Sequence, residues 1–144
     1  MIRNAIIATA LVLGLTGCAT AGPTADSKQE KVVYHINDSA VARVAMRNVQ
    51  NHINANPDAK IVVVTHGKGI DFLLNDAKDE KGEPYQPQVA GLKDKGVEFR
   101  VCRNTLMGRK LDEKAVIMDA TVVPSGVAEI GRLQSKEGYV YLKP

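Results

Sequence analysis

Apolar residues along this 144-residue chain fall into short runs, separated by stretches with a helical period. Lys31-Val32-Val33-Tyr34-His35-Ile36 predicts a first strand, and Asn37, Asp38 and Ser39 offer an N-cap after it. Val41, Ala45, Val49 and Ile53 recur every four residues with Val44 beside them, which predicts one apolar helix face. Asn56-Pro57 stops that helix. Ile61-Val62-Val63-Val64 is a continuous β-branched run, expected of a central strand covered on both faces. Thr65-His66-Gly67-Lys68-Gly69 then turns the chain into a short helical piece, Ile70 to Leu74. Asn75 to Tyr85 is polar and predicts an exposed loop. Gln86 to Lys95 predicts a modest helix with Val89 and Leu92 inward, ended by Gly96.

The remaining stretch repeats the theme. Val97 to Cys102 alternates strictly, with Val97, Phe99 and Val101 on one face and Glu98, Arg100 and Cys102 on the other. Such a strand is half covered, which places it near an edge or a subunit interface. Asn104 to Lys110 and Asp112 to Met118 predict short turns or helices. Thr121-Val122-Val123 is a strand, and Pro124-Ser125-Gly126 leads into a helix with Val127, Ile130 and Leu133 inward. Gly138 ends that helix, and Tyr139 to Leu142 is a last strand, with Tyr139 and Tyr141 on one side. Strands alternating with helices argue for an α/β domain around a mainly parallel sheet of about five strands.

In such sheets ligands bind outside the carboxyl ends of the strands. The residues that follow the predicted strands are Asn37-Asp38-Ser39, His66-Gly67, Cys102-Arg103-Asn104-Thr105 and Pro124-Ser125-Gly126. A thiol, a histidine and two helix starts are therefore expected on one edge.

The N-terminus has a different character. Met1 to Asn4 carries Arg3, and Ala5 to Leu15 is an 11-residue run of small and apolar residues. That is too short to span a membrane, which takes about 20 residues. Leu15-Thr16-Gly17-Cys18 has lipobox spacing, so residues 1–17 are expected to be a signal peptide removed before a lipidated Cys18. Bacterial lipoproteins carry several acyl chains on this cysteine, enough for stable anchoring. Ala19 is not the aspartate associated with inner-membrane retention, so the expected location is the periplasmic face of the outer membrane. Residues 18–30 read as a tether, and residues 31–144 form the folded domain. The formal net charge is +3, and one unit less without Arg3. That is no clustered footprint for nucleic acid.

Cysteine usage sharpens the picture. The chain has two cysteines, and a lipidated Cys18 forms no disulfide. Cys102 is then a lone thiol in an exported protein, a reactive group or an intermolecular partner. No Cys-x-x-Cys pair exists, which excludes a thioredoxin-type dithiol cycle.

Cys102 at a strand end, running into Asn104-Thr105-Leu106, resembles the cysteine position of the DsrE/DsrF-like sulfur-relay family. Val33-Tyr34-His35, Val63-Val64-Thr65-His66-Gly67, Gly96 to Cys102 and Val122 to Gly126 fall where such proteins have strands and strand ends. The resemblance covers Lys31 to Pro144. It implies a three-layer α/β/α domain, a homo-oligomer, and a persulfide on Cys102 passed between a sulfur donor protein and an acceptor protein. It implies no cofactor. The best-understood members act in the cytoplasm, whereas this chain carries an export signal.

Each candidate has a plainer reading. Cys102 is either a reactive thiolate, favoured by a helix start and by Arg100 and Arg103, or an inert buried thiol. His66 is a proton partner for Cys102 or a residue that bonds the backbone of its turn. His35 and His52 read as structural, and no ligand spacing supports a metal. Gly67, Asn104, Thr105, Ser125 and Gly126 are the candidate binding positions around the thiol. Ser125 is first an N-cap and only second an anion site. The competing function is a non-catalytic oligomeric binding or assembly module with a structural Cys102.

Overall fold

The structure, a computed structural model, describes residues 29–144. The expected signal peptide, Cys18 and most of the tether lie outside those residues. Five strands alternate with four α-helices: β1 (Lys31–Asp38), α1 (Ala42–Ala55), β2 (Lys60–Lys68), α2 (Gln86–Lys93), β3 (Glu98–Cys102), α3 (Arg103–Gly108), β4 (Ala120–Val123), α4 (Gly126–Glu137) and β5 (Val140–Leu142). The sheet order is β4-β3-β2-β1-β5, and every pairing is parallel. All strand carboxyl ends therefore share one edge.

Two hydrophobic clusters define three layers. Val32, Tyr34 and Ile36 of β1 and Ile61 and Val63 of β2 pack with α1 and α2 in the larger cluster. Val33, Val62 and Val64 pack with Ile130 and Leu133 of α4 and with Tyr139 in the smaller one. The β-branched run of β2 thus feeds both faces, and β2 is the middle strand, as its pattern predicts. Burying each such side chain contributes about 1.5–3 kcal/mol. Among the described residues, α4 is the helix that packs on the second face.

Local chemistry sets the element ends. Asp38 accepts from the Ala40 N–H at 3.0 Å, and Ser125 caps α4 by accepting from the Ala128 N–H at 3.4 Å. Gly138 closes α4 in the left-handed conformation, φ 74°. Gly69 lies so close to β1 that a Cβ there would stand 2.1 Å from the Ile36 carbonyl oxygen.

Several expectations need correction. The inward stripe of α1 is Ala42, Ala45, Met46 and Val49, while Val41 and Val44 are exposed. The spacing i, i+3, i+4, i+7 packs a broader face than a strict four-residue repeat. Val127 points outward, 63% exposed. Gly126, Ile130 and Leu133 centre the buried stripe of α4, and Val127 lies roughly 90° off it at 100° per residue. The expectation that β3 lies near an edge agrees with the sheet: β3 is paired on both sides and sits next to the edge strand β4. Its polar face is not bare: Arg100 forms ion pairs with Glu98 at 2.5 Å and with Glu129 of α4. The polar segment after Leu74 is mostly exposed, but Tyr85 at its end is buried. Arg43 knots that segment to α1, donating to Asp79 at 2.9 Å and to the Glu83 and Pro84 carbonyls, with its guanidinium 4.3 Å from the Tyr85 ring centre.

Candidate functional site

The carboxyl edge of the sheet assembles the expected residues. Thr65 of β2 pairs in register with Val101 of β3, so His66 and Cys102 stand side by side on the face that α4 covers. Gly126, the first residue of α4, packs directly against both. A Cβ at Gly126 would lie 3.2 Å from the Cys102 Cβ, 3.3 Å from the His66 Cβ and 3.1 Å from the Thr65 carbonyl oxygen. Only a glycine lets the start of α4 approach the two strand ends this closely.

Cys102 is a free cysteine and only 5% exposed. Burial alone would raise its pKa. The Thr105 hydroxyl and the N–H groups of Gly126, Thr105 and Asn104 outweigh that effect and hold it below the usual thiol value. The residue is the N-cap of α3, yet it makes no side-chain cap bond. The donors gather around the sulfur without one closing a full cap. Thr105 does double duty: its Oγ1 accepts from the Gly67 N–H at 3.0 Å, which ties the end of β2 to α3. Gly67 reaches this position with φ +57°.

The two arginines expected to favour the thiolate do not. Arg100 is taken by Glu98 and Glu129, and Arg103 by Glu113. The depression of the thiol comes from neutral donors. The Asn104 side chain is exposed, so only its backbone belongs to the site. Ser125 is spent on capping.

Two residues at this edge escaped the sequence reading. His35 Nε2 lies 2.6 Å from His66 Nε2, with the rings stacked 4.6 Å apart between centres. His35 Nδ1 lies 2.7 Å from the Tyr141 hydroxyl. Burial first, then the neighbouring His66 and Lys143, push the His35 pKa down. The chain Tyr141–His35–His66 thus crosses three adjacent strands, β5, β1 and β2, and ends beside Cys102. Period two places His35 with Val33 and His66 with Val64, but the register between strands is invisible in one sequence. His52 is structural, held by the Tyr34 hydroxyl at 3.0 Å and by Glu30 at 3.3 Å.

Among the described residues, no group of three or more His, Cys, Asp or Glu side chains is arranged to hold a metal. A hollow of about 660 Å³ lies away from this edge, between α1 and the segment around Asp79 to Gln88. Its arginine is fully engaged in the knot described above.

These features define a class: a parallel three-layer α/β/α domain with one thiol held by helix-start donors at the carboxyl edge. The chain belongs to the DsrE/DsrF-like family, whose model matches residues 22–144. Among solved structures it is similar to MTH1491, a protein of unknown function from Methanobacterium thermoautotrophicum. The identity is 30%, over 81% of this chain and all of that one, with a TM-score of 0.72. It also shares its fold with the ychN protein of E. coli, at 14% identity over 80% of this chain and all of that one, TM-score 0.62. No curated protein matches the chain.

Proposed function

We propose that this protein is a lipid-anchored sulfur carrier that holds sulfane sulfur as a persulfide on Cys102. The observation that carries the reading is the thiol's setting: buried, yet held below its usual pKa by donors from two helix starts. A thiolate so held is the nucleophilic form. Its attack on the outer sulfur of a donor persulfide forms the Cys102 S–S bond and breaks the donor's S–S bond, and the donor leaves as a thiolate. Transfer to an acceptor thiolate reverses the roles. Anchoring through Cys18, export to the periplasmic face of the outer membrane and assembly into a homo-oligomer belong to the same proposal. They rest on the lipobox and on the family.

The 5% exposure of Cys102 favours a second reading, an oligomeric binding or assembly module with an inert thiol. Alkylation of the folded protein by iodoacetamide near neutral pH separates the two. Rapid modification of Cys102 supports the carrier. Modification only after denaturation leaves the binding module.

A further inference from the structure

A thiol this covered has a proton to lose and little water to take it, more so when a donor protein docks over it. The neighbouring chain of groups offers a route. Two nitrogens 2.6 Å apart hold one proton between them, so His35 and His66 have complementary tautomers. Two arrangements satisfy the chain. In the first, His66 Nε2–H donates to His35 Nε2, His35 Nδ1–H donates to the Tyr141 oxygen, and His66 Nδ1 is left with a lone pair. In the second, Tyr141 donates to His35 Nδ1, His35 Nε2–H donates to His66 Nε2, and His66 Nδ1 carries a proton. The bond to His35 engages His66 Nε2, so Nδ1 is the ring nitrogen left for a further partner. It belongs to the ring whose β-carbon shares the Gly126 contact with Cys102.

We propose that His66 accepts the Cys102 proton and that Tyr141–His35–His66 conducts it to solvent, the chain passing from the first arrangement to the second. The proton balance closes. His66 Nδ1 takes the thiol proton and its Nε2 gives one to His35 Nε2. His35 Nδ1 gives one to the Tyr141 oxygen, and the Tyr141 hydroxyl proton goes to water. One proton leaves the covered thiol, and no charge stays on the relay. Tyr141 is 37% exposed against 5% for Cys102, so the exit is wetter than the thiol it serves. His35 and Tyr141 act through His66 and are positioning residues.

The surroundings disfavour a charge on His35. His35 faces His66 on β2, Tyr141 on β5 and Lys143 beyond it, and its lowered pKa disfavours a trapped imidazolium. On α4, Glu129 is occupied by Arg100 and Arg132.

The relay rests on the sulfur-carrier reading, and one titration distinguishes their failures. Imidazole nitrogen resonances of the full-length protein report the tautomers, and thiolate ultraviolet absorbance reports Cys102. As pH rises through thiol ionisation, His66 should change from Nε2- to Nδ1-protonated and His35 from Nδ1- to Nε2-protonated. Cys102→Ser should abolish that inversion. A thiolate signal that rises while the tautomers stay fixed overturns the relay alone, as does an inversion that persists in Cys102→Ser. A thiol that stays protonated until the protein unfolds overturns the carrier reading and the relay with it.

Discussion

Gly126→Ala isolates one donor of the thiol cradle. The added methyl would meet the Thr65 carbonyl oxygen at 3.1 Å, the Cys102 Cβ at 3.2 Å and the His66 Cβ at 3.3 Å. All three contacts are tight and two involve strand side chains, so the start of α4 must retreat by a few tenths of an ångström. That draws the Gly126 N–H away from the sulfur. One donor among four, none closing a full cap, is worth about 1 kcal/mol to the ionised form. At 1.36 kcal/mol per pH unit, the thiol pKa should rise by about 0.7 unit. The new methyl also deepens burial, which shifts the pKa the same way. Thiolate absorbance against pH measures the shift directly, and the pH profile of iodoacetamide modification measures it again through reactivity. Circular dichroism melting controls for loss of fold. An unchanged pKa in a folded Gly126→Ala protein would refute the claim that helix-start donors set the thiol's ionisation.

Two further outcomes follow from the same structure. Because the folded protein lowers the Cys102 pKa, the thiol's contribution to stability should be complete above the ordinary value of 9.0 and fade as pH falls through the lower folded value. Comparing urea midpoints of wild type and Cys102→Ser across that window checks the sign; a wild-type advantage that grows toward acid contradicts it. The Tyr139 hydroxyl is buried without a hydrogen-bond partner, so Tyr139→Phe should raise stability by about 1 kcal/mol, read as a higher denaturant midpoint at unchanged slope.

The layers of this domain were legible because binary pattern encodes them. The run Ile61 to Val64 reads as a strand covered on both sides, and it is the middle strand. Parallel pairing then fixed which residues share an edge, and His66, Cys102 and Gly126 meet there. What escaped were properties set by register and partnering. Arg100 and Arg103 looked like cations for a thiolate, yet carboxylates that are distant in sequence claim both. His35 looked like a strand residue, and only the pairing of β1 with β2 and β5 sets it between His66 and Tyr141. Val127 failed for a simpler reason: the phase of a helix is fixed by its first buried residue, and here that residue is a glycine carrying no hydrophobic signal.

The central claim is that Cys102 takes up sulfur in the folded protein. The direct measurement treats the native full-length chain with a low-molecular-weight persulfide and maps the product by peptide mass spectrometry. The account predicts the added mass of one sulfur atom on the peptide containing Cys102, removed by a thiol reductant and absent in Cys102→Ser. An unmodified Cys102 peptide from folded protein would contradict it, leaving the thiol as one more buried side chain of the sheet.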